Sequence, residues 1–285
     1  MYTYSLDKSS KKFHCPKCTE KTFVRFMDNE RGTYLDGDFG RCDRESKCGY
    51  FNMPKSTKGH YEKPAIYLPP KPSVLDESVI PKYGNNYESN HFITFLLSKF
   101  NEEDVIRAIE QYYIGTHNLW PGSAVFWQID HNLKIRTGKV MLYDCNTGKR
   151  VKKPFPHINW MHKVLQIKNF VLQQCLFGLH LIPESNNTPV CIVESEKTAV
   201  IMSIVLPQYI WMATGAKTNL KEDLLSPLKN SRIILYPDNS EYKDWNTKAT
   251  ILTDRGFKVS CSNLIENYDM DEGDDLADLL LSLHI

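Results

Sequence analysis

The residues best suited to chemistry are acids at the ends of apolar runs. Glu194 closes PVCIVE, Asp238 closes RIILYPD, and Asp274, Asp275 and Asp278 lie in the stretch DMDEGDDLADLLL. An acid at the mouth of a buried strand is a common seat for a metal ion. Carboxylates gathered at one sheet edge suit magnesium or manganese, hard cations that keep waters and share a phosphate substrate. Such an ion activates an attacking hydroxyl and stabilises a leaving pyrophosphate. Glu194, Asp238 and Asp275 are therefore the catalytic candidates, and all five acids are candidate ligands. Other roles remain open. Asp275 and Asp278 fit a helix cap for LADLLLSLHI, Asp238 fits a cap for the helix after it, and Glu194 fits a solvated strand end. Glu241, at that helix start, is expected to face solvent.

A second constellation is made of sulfur. HCPKC supplies Cys15 and Cys18, and RCDRESKC supplies Cys42 and Cys48. A C-x2-C turn points two thiolates at one tetrahedral ion, and a second pair from a distant hairpin closes a four-sulfur zinc shell. The second pair is looser, with five residues between its cysteines. Four unrelated thiols, or His14 in place of one cysteine, are the alternatives. Cys145, Cys175, Cys191 and Cys261 sit among apolar residues and read as packing.

The third constellation is basic. Nine Lys or Arg and a single acid fall between His131 and Lys168, whereas seven acids and no base fall between Ile265 and Asp278. The formal net charge of +1 hides this asymmetry. Lys134, Arg136, Lys139, Lys149, Arg150, Lys152 and Lys153 fall on two predicted hairpins, with Trp127, Phe155 and Trp160 nearby. Alternation puts Lys134 and Arg136 on one face. Cations mixed with aromatic rings are what single-strand binding uses; a solvated basic face is the plainer alternative, and Trp120 and Trp127 also suit a core.

Positioning these groups takes three blocks. Residues 1–54 hold the cysteine quartet around a predicted hairpin. Residues 55–72, with four prolines, read as a semi-extended linker. Residues 73–185 begin with helical patterning in NHFITFLLSKF and NEEDVIRAIEQYYI, the second capped by Asn101. They continue as an antiparallel meander through SAVFWQID, KIRTGKVMLYD and NTGKRV. Residues 186–285 alternate strand and helix, which implies a parallel sheet with helices on both faces and ligands at the strands' carboxyl ends. The expected class is thus α/β, preceded by a basic α+β subdomain and a zinc ribbon. No apolar run is long enough to cross a bilayer and the N-terminus lacks a secretory core, so a cytoplasmic protein without a membrane partner is expected.

CIVESEKTAVI, ILYPD and GDDLADLLL resemble the three motifs of a Toprim domain, the catalytic module of DnaG-type primases and topoisomerases. Glu194 matches the Glu of the first motif, Asp238 the leading acid of the Asp-x-Asp motif, and Asp275 with Asp278 the later acids. Zinc ribbon, basic meander and Toprim follow each other as in a DnaG-like primase. The chain resembles in particular a compact type encoded in Bacteroidetes genomes and mobile elements. Three departures stand out: Ser195 replaces the usual Gly, Ser240 replaces the second Asp, and the sequence ends at Ile285. The last predicts no DnaG-style helicase-binding domain, so a replicative helicase partner stays open.

The resemblance implies a DNA primase with one structural zinc and catalytic magnesium or manganese, acting on a single-stranded DNA template and nucleoside triphosphates. Ser240 keeps a second reading alive, a catalytically weakened single-strand-binding replication module. A Toprim-type nuclease is the third.

Overall fold

A computed structural model describes residues 3–44, 47–54, 70–182 and 188–284. The chain divides into two compact units, Met1–Pro69 and Pro70–Ile285. Of the expected linker, residues 55–69 lie outside the described residues.

The first unit is an antiparallel sheet of β1 (Tyr4–Leu6), β2 (Phe23–Asp28), β3 (Thr33–Tyr34), β4 (Gly40–Cys42) and β5 (Phe51–Asn52), in the order β1-β2-β4-β5 with β3 against β2. Its buried centre is Phe23 packed on Cys15, Cys42 and Cys48. Gly40 is required there, because a Cβ would stand 2.2 Å from the Val24 carbonyl oxygen and inside the Phe23 ring. So small a core cannot by itself offset the chain entropy lost on folding.

The second unit opens with α1 (Val79–Tyr83), α2 (His91–Lys99) and α3 (Glu102–Tyr112). The Asn90 side chain accepts the N–H groups of Phe92 and Ile93, and Asn101 accepts that of Asp104, so each asparagine caps a helix. Val105, Ala108, Ile109 and Tyr112 form the buried stripe of α3. An antiparallel sheet follows, β6 (Gly115–His117), β7 (Ser123–Ile129), β8 (Ile135–Met141) and β9 (Ile158–Trp160) in sequence order, then α4 (Met161–Val164). Every residue of β7 is buried. Ala124 and Phe126 face the core with α2 and α3, while Val125, Trp127 and Ile129 pack with Leu75, Val79 and Met161.

Then come β10 (Val190–Val193), α5 (Glu196–Val205), β11 (Ile210–Ala213), α6 (Glu222–Leu225), β12 (Arg232–Leu235), α7 (Tyr242–Asp254), β13 (Lys258–Cys261) and α8 (Leu276–His284). The strands are all parallel, in the order β11-β10-β12-β13. Cys191 and Val193 pack on α5 and α8 on one face; Val190 and Ile192 pack with Trp245 and Leu252 of α7 on the other. The mixed α/β class with helices on both faces of a parallel sheet is therefore the one expected. The core of α2 and α3 continues into that of α5, and the Tyr112 hydroxyl donates to the Trp211 carbonyl across them at 2.8 Å.

Two expected strand features differ. NTGKRV is a turn, because the Asp144 carboxylate accepts the N–H groups of Asn146 and Thr147 and curls the chain locally; the third ladder is made by β9. On β8, Ile135 pairs with Ile129 and Thr137 with Gln128, so Arg136 is the extra residue of a bulge.

Candidate active site

Glu194 follows β10 directly, and Asp238 lies three residues beyond β12, its central neighbour. Between β13 and α8 the acidic loop returns to the same edge. Asn239 holds it there: its N–H donates to the Asp274 carbonyl at 2.8 Å, and its side-chain amide donates to the carbonyls of Met270 at 2.7 Å and Asp271 at 3.1 Å. Sequence reasoning passed over Asn239, although its place beside Asp238 was a signal. The result is a cleft of about 450 Å³ whose walls include Glu194, Lys197, Asp238, Asp274, Asp275 and Asp278, with Lys149, Arg150 and Lys152.

The acids are not equivalent. Asp275 caps α8: its Oδ1 accepts the N–H groups of Ala277 at 2.9 Å and Asp278 at 3.0 Å. Asp278 returns the bond, accepting the Asp275 N–H at 3.1 Å, which completes a capping box. Thr198 Oγ1 donates to the other Asp275 oxygen at 2.5 Å. Lys197 Nζ stands 3.2 Å from Asp278 and 3.6 Å from Asp275. Asp274 uses a carboxylate oxygen on the Asp271 N–H. Asp238 differs from all of these, since among the described residues no hydrogen bond or ion pair reaches its carboxylate. Burial, then the charges of Asp275, Glu194 and Asp278, push its pKa up to about 8 against the opposing pull of Lys197. Burial also raises Glu194, with Glu241 adding to it and the Lys217 N–H opposing it. Lys197 is held above its ordinary value; burial works against its charge, but Asp275 and Asp278 outweigh that.

An open carboxylate crowded by like charges is a site short of a cation. The donor set is all oxygen, which fits magnesium or manganese. Glu194 and Asp238 could hold such an ion. At the position expected to carry a second such acid, Ser240 is exposed, at φ +76°, and gives its N–H to Glu266 at 2.9 Å. Glu241, expected to face solvent, is half-buried and paired with Lys217.

The seven expected basic contacts separate. Lys149, Arg150 and Lys152 enter the cleft; Lys153 is exposed beside them but does not line it. Lys134 is 3.9 Å from Glu77, and Arg136 is bound to Asp130 at 2.7 Å, both near the β7–β8 turn. Lys139 is no surface cation: it is 4% exposed, 2.7 Å from the buried Glu196 and 2.6 Å from the Gly215 carbonyl oxygen. The bulge at Arg136 sets Lys139 on the face toward the parallel sheet. Gly215, at φ +70°, has no room for a Cβ, which would meet Lys139 and Glu196 at 2.6 and 2.7 Å. Of the aromatic candidates, Trp127 is core, Phe155 is exposed and Trp160 lies under Lys139.

In the first unit, Cys15, Cys18, Cys42 and Cys48 bring their sulfurs within 4.8 Å of one another. Cys15 and Cys48 are 3.7 Å apart, Cys18 and Cys42 3.9 Å. A tetrahedral zinc with bonds of about 2.3 Å needs sulfurs about 3.8 Å apart, so the quartet fits zinc. Burial opposes the Cys15 thiolate, but the N–H groups of Cys18 and Lys17 outweigh it and bring its pKa to about 7. Cys48 is pushed up to about 11 by burial and by the other thiols. His14 is exposed, with Nδ1 on the Thr19 carbonyl oxygen, outside the quartet.

A family model described as Domain of unknown function (DUF6371) matches residues 90–239, more than half of the chain. The chain belongs to the DUF6371 family. The DUF6371 match runs from the Asn90 cap to Asn239 and takes in Glu194, Asp238 and the basic turn. A zinc beta-ribbon finger model matches residues 2–63, so the first unit is a zinc ribbon. Among curated proteins, none matches. Among solved structures the chain is similar to the primase fragment of the bacteriophage T7 primase-helicase protein, at 15% identity over 96% of this chain and 95% of that one, with a TM-score of 0.46. It is also similar to the E. coli primase catalytic core, at 13% identity over 70% and 74% of the two chains and a TM-score of 0.47. The RNA polymerase domain of Mycobacterium tuberculosis primase DnaG is similar at 11% identity over 72% and 76%, with a TM-score of 0.45.

Proposed function

We propose that this protein is a DnaG-like primase, a metal-dependent nucleotidyltransferase that joins nucleotides on a single-stranded DNA template. The observation that carries the reading is the Asp238 carboxylate, without a partner among the described residues, in one cleft with Glu194, Lys149, Arg150 and Lys152. Acids that need a cation, facing cations that need anions, describe a seat for a metal–triphosphate complex. The Toprim-like motifs and a zinc ribbon ahead of the basic meander narrow nucleotidyl transfer to priming.

In this reading Glu194 and Asp238 would hold magnesium or manganese, which would supply activation of the attacking hydroxyl and stabilisation of the pyrophosphate. Lys149, Arg150 and Lys152 bind phosphate oxygens of the incoming nucleotide and template. The 3′-hydroxyl oxygen forms a new bond to the α-phosphorus, the bond to the bridging oxygen breaks, and pyrophosphate leaves. The Toprim-like first motif suggests for Glu194 the further role of accepting the hydroxyl proton. The zinc ribbon contacts template bases. Lys139 and Glu196 brace the Gly215 turn behind Glu194 and touch no substrate. In domain terms, residues 1–54 are the ribbon, 55–72 the linker, 73–185 the basic subdomain and 186–285 the Toprim-like domain.

Ser240 favours a second reading, a single-strand-binding module that keeps the fold with weakened metal affinity. The two separate when purified protein is given single-stranded template, labelled nucleotides and magnesium or manganese. Short oligomers that disappear in Glu194→Gln support the primase. Template binding without synthesis supports the module, and shortening of the template would speak for a nuclease.

A further inference from the structure

Among the acids of the cleft, Asp275 and Asp278 have different neighbours from Glu194 and Asp238, while Asp274 is tied to the Asp271 N–H. Both oxygens of Asp275 and both of Asp278 are engaged, by the α8 cap, by Thr198 and by the Lys197 ammonium. Lys197 is itself 8% exposed and has two carboxylates within 4 Å, so it is fixed between them. It is the second residue of α5, three residues after Glu194, and it also lines the cleft. On the other side Asp238 has no hydrogen-bond or ion-pair partner among the described residues, and Glu194 is met by the Lys217 N–H. A carboxylate offers about four acceptor positions, and those of Asp275 and Asp278 are largely used. An ammonium held 3 to 4 Å from two carboxylates also repels a divalent ion brought to the same oxygens.

Resting on the reading of the cleft as a divalent-metal centre, we infer that Lys197 is a built-in cation filling the half of the acidic cluster where a second divalent ion would sit, so that the cleft holds one ion, on Glu194 and Asp238. Asp275 and Asp278 then position Lys197 and α8 and are not ligands. The same arrangement explains how the cleft tolerates Ser240: with a single ion held by Glu194 and Asp238, no further acid is needed after β12. Magnesium is commonly bound by one or two protein carboxylates, with waters and phosphates completing the shell.

The test is manganese binding to the zinc-loaded full chain, read by the loss of the free-ion paramagnetic resonance signal, with the Glu194→Gln/Asp238→Asn double variant as the blank. One manganese per chain above the blank is expected. Asp238→Asn should weaken binding by about tenfold or more, whereas Asp278→Asn should change it by less than about threefold. Lys197→Gln should take up a second manganese, which a purely structural lysine would not permit. Two ions in the parent protein, or an Asp278→Asn loss equal to that of Asp238→Asn, overturns the inference and leaves the metal-centre reading standing. If Lys197→Gln does not fold, the parent stoichiometry and the Asp278→Asn affinity still decide. No manganese above the blank overturns both.

Discussion

Among the described residues the Asp238 carboxylate has no hydrogen-bond or ion-pair partner, whereas Lys139 and Glu196 are paired with each other and buried. These two arrangements give opposite expectations for mutation. Removing one member of a buried pair strands the other, so Lys139→Met should cost about 3 kcal/mol or more in urea unfolding. Lys139→Met with Glu196→Leu should recover most of that loss, and a double variant no better than the single would contradict the pairing. Asp130 offers a pH test away from the cleft. Burial raises its pKa, but the N–H groups of Lys134 and Asn132 and the Arg136 guanidinium outweigh it, so the carboxyl is held below its ordinary value. A depressed folded pKa stabilises above the ordinary carboxylate value, and that contribution is lost as pH falls through the folded one. The parent protein should therefore lose more stability than Asp130→Asn on acidification below about pH 4, in melts taken across that window.

At the scale of elements, the basic turn after β8 and the end of β12 matter more than any single charge. Lys149, Arg150 and Lys152 share the acidic cleft, whereas Lys134 and Arg136 are tied to acids at the far end of β8. Replacing the three cleft cations by Ala should reduce the salt dependence of single-stranded DNA binding by about 2 in log–log slope, at about 0.7 per phosphate. A Lys134/Arg136 double variant should leave the slope nearly unchanged; equal losses in the two variants would sink the assignment. Much of this level was legible in the sequence. Periodicity marked α2, α3 and the parallel strands, and the acids at strand ends were visible as such. Periodicity could not show that Arg136 is bulged, which turns Lys139 inward against Glu196. Nor could it show that Asp144 curls NTGKRV into a turn.

For the whole molecule, two compact units with different sources of stability should respond to different insults. The zinc ribbon has Phe23 and four cysteines at its centre, while the second unit has extended apolar cores on both faces of its parallel sheet. A structural zinc contributes on the order of 10 kcal/mol or more, so chelation should abolish folding of the first unit and leave the melting of the second in place. Loss of both transitions together, or of neither, would contradict this division. The cysteine spacing made that site readable because the chemistry of zinc is local and tetrahedral. The acidic site was readable only as separate strand ends, because its logic lies in long-range pairing. Which acids remain free and which serve Lys197 and the α8 cap depends on contacts between residues about eighty positions apart. The central claim is that Glu194 and Asp238 seat a metal and a triphosphate. The most direct measurement is an anomalous-scattering map from crystals soaked with manganese and a nucleoside triphosphate. A manganese peak at Glu194 and Asp238, with phosphate density against Lys149, Arg150 and Lys152, is the predicted result, and a map with no manganese at those two carboxylates would contradict it.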